Sequence, residues 1–133
     1  MANQVRNPRA VSGPDGMFSH GIEVPPGARW LFVTGQVGVD ADGRIATDIE
    51  EQCALTWTNV LTILAEADMG VEDLVRVNAY LTDRAHIEPY RVARDALLKP
   101  PYPASTVVVV KELALPEFLV EIEAVFHIPD DSD

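Results

Sequence analysis

Two carboxylates offer the sharpest chemistry in this chain. Glu121 and Glu123 stand two residues apart in Leu119–Phe126 (LVEIEAVF), a segment that is otherwise apolar. A period of two is that of a strand, so both side chains point to one face. They are either solvated edge residues or members of a polar pocket, and a carboxylate whose pKa such a pocket raises can act as a general base. Other candidates carry less. Gly35-Gln36-Val37-Gly38 lacks the Lys-Ser/Thr ending of a phosphate loop. His20, His86 and His127 have no metal-ligand spacing, so no metal is expected. Asp40-Ala41-Asp42-Gly43 starts like a calcium loop but lacks the downstream ligands and the spaced glutamate, and reads as a turn. Cys53 is the one cysteine, which excludes an internal disulfide and a cysteine-based zinc cage. Its neighbours, Glu50 to Leu55, read as helix, and a small core residue is the simpler reading than a nucleophile.

The elements that must position these groups fit one domain over residues 1–133, with an irregular lead-in over 1–16 and an acidic tail over 129–133. Ten Lys and Arg against 21 Asp and Glu give 10 − 21 = −11, a poor balance for gripping phosphates, so no nucleic-acid partner is expected. No apolar run approaches the roughly 20 residues that span a bilayer. Met1–Arg6 lacks a signal peptide's apolar stretch. The expectation is a soluble cytoplasmic protein without a membrane partner.

Along the chain, Met17–Val24 and Arg29–Gln36 read as a hairpin-like pair around Pro25-Pro26-Gly27. A helix is predicted from Thr47 to about Asp68. Thr47 and Glu50 match a capping box, Gly70 sits where a left-handed cap belongs, and Ile49, Cys53, Trp57, Val60, Leu64 and Ala67 form one apolar stripe. Leu74–Leu81 is a strand. Pro89 suits the first turn of a second helix running to about Leu98, and Pro100, Pro101 and Pro103 break the chain after it. Thr106–Lys111 reads as a buried strand and Leu119–Phe126 as the last. The order is β-β-α-β-α-β-β. Two helices cover one sheet face only, which leaves the other apolar, notably along Val107 to Val110, and in need of a partner.

Several segments, taken in order, resemble the Rid family, also called YjgF or L-PSP. They are Phe18-Ser19-His20-Gly21, Thr34-Gly35-Gln36-Val37, the helix Gln52–Leu64 with Asn59, Val77–Asp83, Pro103-Ala104-Ser105-Thr106-Val107 and Leu119–Val125, spread over roughly residues 17 to 127. The resemblance implies an α+β, chorismate-mutase-like subunit with two helices on one face of its sheet. It also implies a homotrimer with small-molecule clefts between neighbouring subunits. The best-known members hydrolyse 2-imino or 2-enamino acids to 2-keto acids and ammonia, with neither metal nor cofactor. By resemblance Glu121 handles the water, Thr106 and backbone near Gly35 orient the ligand, and Phe18 forms an apolar wall where a tyrosine is usual.

The chain departs from the family at one decisive position. Ser105 stands where the substrate-carboxylate arginine belongs, and a hydroxyl cannot replace a bidentate charged fork. Arg91 either supplies a cation from another direction or is an exposed helical arginine pairing with Asp95. Three functions follow: a deaminase-like hydrolase of a different small molecule, a non-catalytic small-molecule-binding trimer, and a ribonuclease, which the charge disfavours.

Overall fold

The computed structural model describes residues 3–14 and 16–129. Of the acidic tail, residues 130–133 lie outside the described residues. Six strands and two α-helices follow one another as β1 (Gln4–Arg6), β2 (Gly21–Glu23), β3 (Ala28–Val37), α1 (Ile49–Glu66), β4 (Leu74–Leu81), α2 (Ile87–Asp95), β5 (Ala104–Val109) and β6 (Val120–Pro129). The main sheet has the order β3-β6-β4-β5, with β5 parallel to β4 and the other neighbours antiparallel. Both helices pack on one face of this mixed sheet.

The lead-in is less irregular than its composition suggests. β1 pairs antiparallel with β2, through Gln4–Glu23, Val5–Ile22 and Arg6–Gly21, so the expected hairpin between Met17–Val24 and Arg29–Gln36 does not form. An ion pair at 2.7 Å between Arg6 and Glu23 joins the two strands. The glycine and prolines between β2 and β3 redirect the chain instead of reversing it within one sheet.

The cap of helix α1 lies one residue later than supposed. Asp48, not Thr47, accepts a hydrogen bond from the Glu51 N–H at 2.7 Å, and Glu50 and Glu51 lie in the first turn, where the helix dipole favours negative charge. At the other end the left-handed residue is Asp68, with φ of 57°, while Gly70 is extended and opens a short 3₁₀ turn over Val71–Asp73. Aspartate tolerates that conformation through local hydrogen bonding, which let it take the place assigned to glycine. The apolar stripe is as expected. Ile49, Cys53, Trp57, Val60 and Leu64 are buried in a cluster with Val77, Ala79 and Leu81 of β4 and Ile122, Ala124 and Phe126 of β6. Burial, with Glu50 nearby, pushes the Cys53 thiol up to about 11, which makes it inert core.

Gln52 clamps three backbone segments. Its Nε2 donates to the carbonyls of Ala46 at 2.9 Å and Glu117 at 2.7 Å, and its Oε1 accepts from the Leu119 N–H at 2.8 Å. Gly38 lets β3's exit pass over this residue, because a Cβ there would lie 2.8 Å from the Gln52 Cα. Two turns further along the same side of α1, Asn59 Nδ2 donates to the carbonyls of Val37 and Val39.

β5 is an edge strand and is not buried as expected. Val108 and Val109 remain 39% and 44% exposed. The open sheet face is also more mixed than an apolar reading of Val107–Val110 implies. Val107 points to the helix side, and the open face carries Trp30 and Phe32, stacked with centroids 6.1 Å apart, beside polar residues of β4 and β6. Phe32 is 74% exposed.

His127 lies under this aromatic pair. It is fully buried, neither ring nitrogen has a hydrogen-bond partner, and its ring meets Trp30 edge-on with centroids 4.7 Å apart. Burial holds its imidazole below the usual histidine range, against smaller opposing pulls from nearby backbone carbonyls and from Asp73. The unfolded chain therefore binds this proton at higher pH than the native one. Stability is fully present above the usual histidine value and is lost as pH falls through it. The drop in Tm between about pH 8 and 5 should be smaller in His127→Phe than in the parent chain. Equal drops in the two proteins would remove His127 as the cause.

Candidate functional site

The sheet divides the residues of interest between its two sides. Across the β4–β5 pair, Ser105 faces Val77 and Val107 faces Ala79, both core residues beneath the helices, whereas Thr106 faces Asn78 on the open side. Across the β4–β6 pair, Tyr80 faces Glu121 and Asn78 faces Glu123. Alternation along each strand then puts Ser105 on the helix side and Thr106, Glu121 and Glu123 on the open side.

On the helix side, Ser105, Phe18 and Arg91 line one cavity of about 400 Å³, together with Gly16, Ile87, Tyr90, Arg94 and Val107. Phe18 is held there by its neighbour. The Ser19 N–H donates to the Pro103 carbonyl at 2.8 Å, its hydroxyl donates to the Tyr102 carbonyl, and Ser19 forms a parallel bridge with Ala104. Arg91 does not pair with Asp95. It reaches Glu88 instead, at 3.2 Å, and both side chains are largely exposed.

The cation that reaches Ser105 is Arg94, which sequence reasoning missed. Its Nη1 donates to Ser105 Oγ at 3.3 Å, its Nε donates to Asp95 Oδ1 at 3.0 Å, and its side chain is 6% exposed. Its guanidinium carbon lies 5.8 Å from the centroid of the Tyr90 ring. The available signal was positional. Ile87, Tyr90 and Arg94 stand at helix spacing of three and four, so Arg94 is a charge on the inward stripe of α2. Burial pushes the Tyr90 hydroxyl far up from its usual range, so it stays a neutral phenol. That hydroxyl is buried without a hydrogen-bond partner of sound geometry.

On the open side the two glutamates have different surroundings. Tyr80 OH donates to Glu123 Oε1 at 2.6 Å and Asn78 Nδ2 donates to the same oxygen at 3.1 Å. These bonds hold the Glu123 carboxyl below the usual carboxylate range, Tyr80 contributing most, so this residue is engaged as an acceptor. Glu121 instead lies against Gly35 at the irregularity of the β3–β6 register, where a Cβ on Gly35 would be 2.0 Å from Glu121 Oε2. Glycine is thus required for the carboxylate to sit there. Gly35 also lines a surface groove of about 560 Å³ along β3 and the outer side of α1. A shallow cavity of about 430 Å³ lies over Phe32, Thr34, Arg76, Asn78, Glu123 and Val125. Among the described residues no group of three or more His, Cys, Asp or Glu is placed to hold a metal ion, and no helix is long and apolar enough to cross a membrane.

The family model described as Endoribonuclease L-PSP matches residues 10–128. The chain belongs to this family, the Rid family. A RutC family protein of Aquifex aeolicus is 33% identical over 129 residues, spanning 92% of this chain and 98% of its own. The solved structure of YyfB, a Rid-family protein of unknown function from Yersinia pestis, superposes with a TM-score of 0.84 at 29% identity, covering 96% of this chain and 100% of that one. TdcF of Escherichia coli, named as a candidate reactive intermediate deaminase, is 28% identical over 72 residues, spanning 53% of this chain and 54% of its own. Two helices on a mixed sheet are therefore the Rid fold.

Proposed function

We propose that this Rid protein hydrolyses a small imine or enamine, without metal or cofactor, in clefts between the protomers of a homotrimer. The observation that carries the reading is the division just described. Ser105 and Glu121 lie on opposite sides of one sheet, so the two halves of a Rid-type site converge only when the Ser105 cavity of one protomer meets the Glu121–Gly35 surface of another. The exposed Trp30–Phe32 pair on the open face gives such an assembly an apolar contact to bury, and a chorismate-mutase-like packing of three sheets fits it. TdcF's name supports the reaction type.

In that cleft Glu121 acts as general base. It takes a proton from water as the oxygen adds to the carbon of the C=N bond, and returns it to the nitrogen. The carbinolamine then collapses to a carbonyl with release of ammonia. Backbone groups near Gly35 and the Thr106 hydroxyl orient the ligand, and Phe18 and Arg91 wall the cavity. Because Ser105 replaces the usual arginine, the ligand is expected to differ from the 2-imino acids of the best-known members. The same replacement favours the second reading, a trimer that binds a small molecule without turning it over. The net charge of −11 disfavours ribonuclease action despite the family's name.

Two measurements test the proposal. Sedimentation should give a trimer that Phe32→Lys dissociates. Ammonia release from imines and enamines generated in situ should fall about 10²-fold or more in Glu121→Gln. A monomeric parent chain would overturn the cleft. Ligand binding with no turnover of any imine or enamine would leave the binding reading in its place.

A further inference from the structure

Arg94 plays no part in the hydrolysis described above, yet it is the most committed side chain in the cavity. Holding a guanidinium at 6% exposure costs free energy unless its donors are satisfied. Arginine has five N–H donors. The hydrogen bonds formed among the described residues engage two of them, one to Asp95 and one, long at 3.3 Å, to Ser105. Asp95 takes the Nε side, and Ser105 Oγ marks an acceptor position at Nη1 on the terminal edge. The buried Tyr90 hydroxyl, beside Arg94 on this cavity, is a second polar group without a hydrogen bond of sound geometry.

We propose that this cavity binds a small monocarboxylate through the terminal edge of Arg94, so that an arginine on α2 does from the side what a residue at position 105 cannot. A planar fork of N–H groups suits a carboxylate, and two parallel bonds fix its plane. Ser105 is small enough to leave room for the anion and adds a hydroxyl donor. Phe18, Ile87 and Val107 offer apolar surface to a short hydrocarbon part, within a cavity of about 400 Å³. The charge count selects one negative charge. Asp95 holds only the Nε side of Arg94 and leaves its terminal edge without a carboxylate, whereas the Arg91 terminus is taken by Glu88, so one guanidinium edge on the cavity is open to one carboxylate. With the chain at −11, long-range attraction does not help, and the anion is held by contact alone. All these groups belong to one protomer. The inference rests on the cleft reading only for what happens at the ligand's reacting end.

Calorimetric titration of the full chain with 2-oxobutanoate and with its methyl ester tests this directly. The acid should bind at least tenfold more tightly than the ester. The double variant Arg94→Gln/Asp95→Asn, which leaves no unpaired charge behind, should abolish the preference, and Arg94→Lys should weaken it while keeping its sign. Ser105→Asp guards against loss of folding. It places a carboxylate of the chain's own beside Arg94, and should block the probe without lowering Tm. Equal binding of acid and ester, no binding of either, binding unchanged in Ser105→Asp, or a preference lost in Arg91→Gln but kept without Arg94 would each overturn the proposal. Carboxylate binding without ammonia release would sink the hydrolase reading and leave this one standing. Ammonia release without carboxylate preference would do the reverse.

Discussion

Gln52→Leu is expected to lose about 3–5 kcal/mol of unfolding free energy. Leucine matches glutamine closely in volume, so no cavity opens. What is lost is the clamp that ties the entrance of α1, through Ala46, to the approach of β6, through Glu117 and Leu119. Two carbonyls and one N–H are left without their partner, on a residue that is itself fully buried. Denaturant unfolding should show a lower midpoint with an unchanged slope. A variant within about 1 kcal/mol of the parent would mean that water replaces all three bonds, and the clamp would be incidental.

Gly35→Ala should leave the fold intact and remove Glu121-dependent turnover by about 10²-fold, as severe as the loss in Glu121→Gln. The added methyl carbon would stand 2.0 Å from Oε2, 2.8 Å from Cδ and 3.1 Å from Cγ of Glu121. These are the outer atoms of a flexible side chain, so the carboxylate swings aside and the strand does not move. Binding of 2-oxobutanoate at Arg94, on the far side of the sheet, should persist. If Gly35→Ala and the parent chain release ammonia at equal rates, Glu121 does not act from the position it holds against Gly35.

Much of this architecture is legible in the sequence because single-chain periodicity encodes it. The stripe from Ile49 to Leu64 identified α1 and its buried face, and the Glu121–Glu123 spacing put both carboxylates on one side. The family resemblance was equally available from residue order. What periodicity cannot encode is pairing. β2 finds β1, because a short strand of mixed polarity is uncommitted until a neighbour offers free N–H and C=O groups. Helix ends were misplaced by a residue or two where Asp48 and Asp68 took positions given to Thr47 and Gly70. Arg94 was missed for a different reason. From the sequence Asp95 was given to Arg91, and only the fold shows that its partner is Arg94, with side chains 6% and 30% exposed.

The split of the site by the sheet has a consequence for inheritance. In the ring of three proposed above, a protomer whose Ser105 cavity is blocked spoils the cleft it opens, and a protomer damaged at Glu121 spoils the cleft it closes. Mixed in one ring, two such defective chains always leave one boundary at which an intact cavity meets an intact glutamate. Two alleles, each inactive alone, would therefore complement each other at the level of the protein, through assembly and without any exchange of sequence.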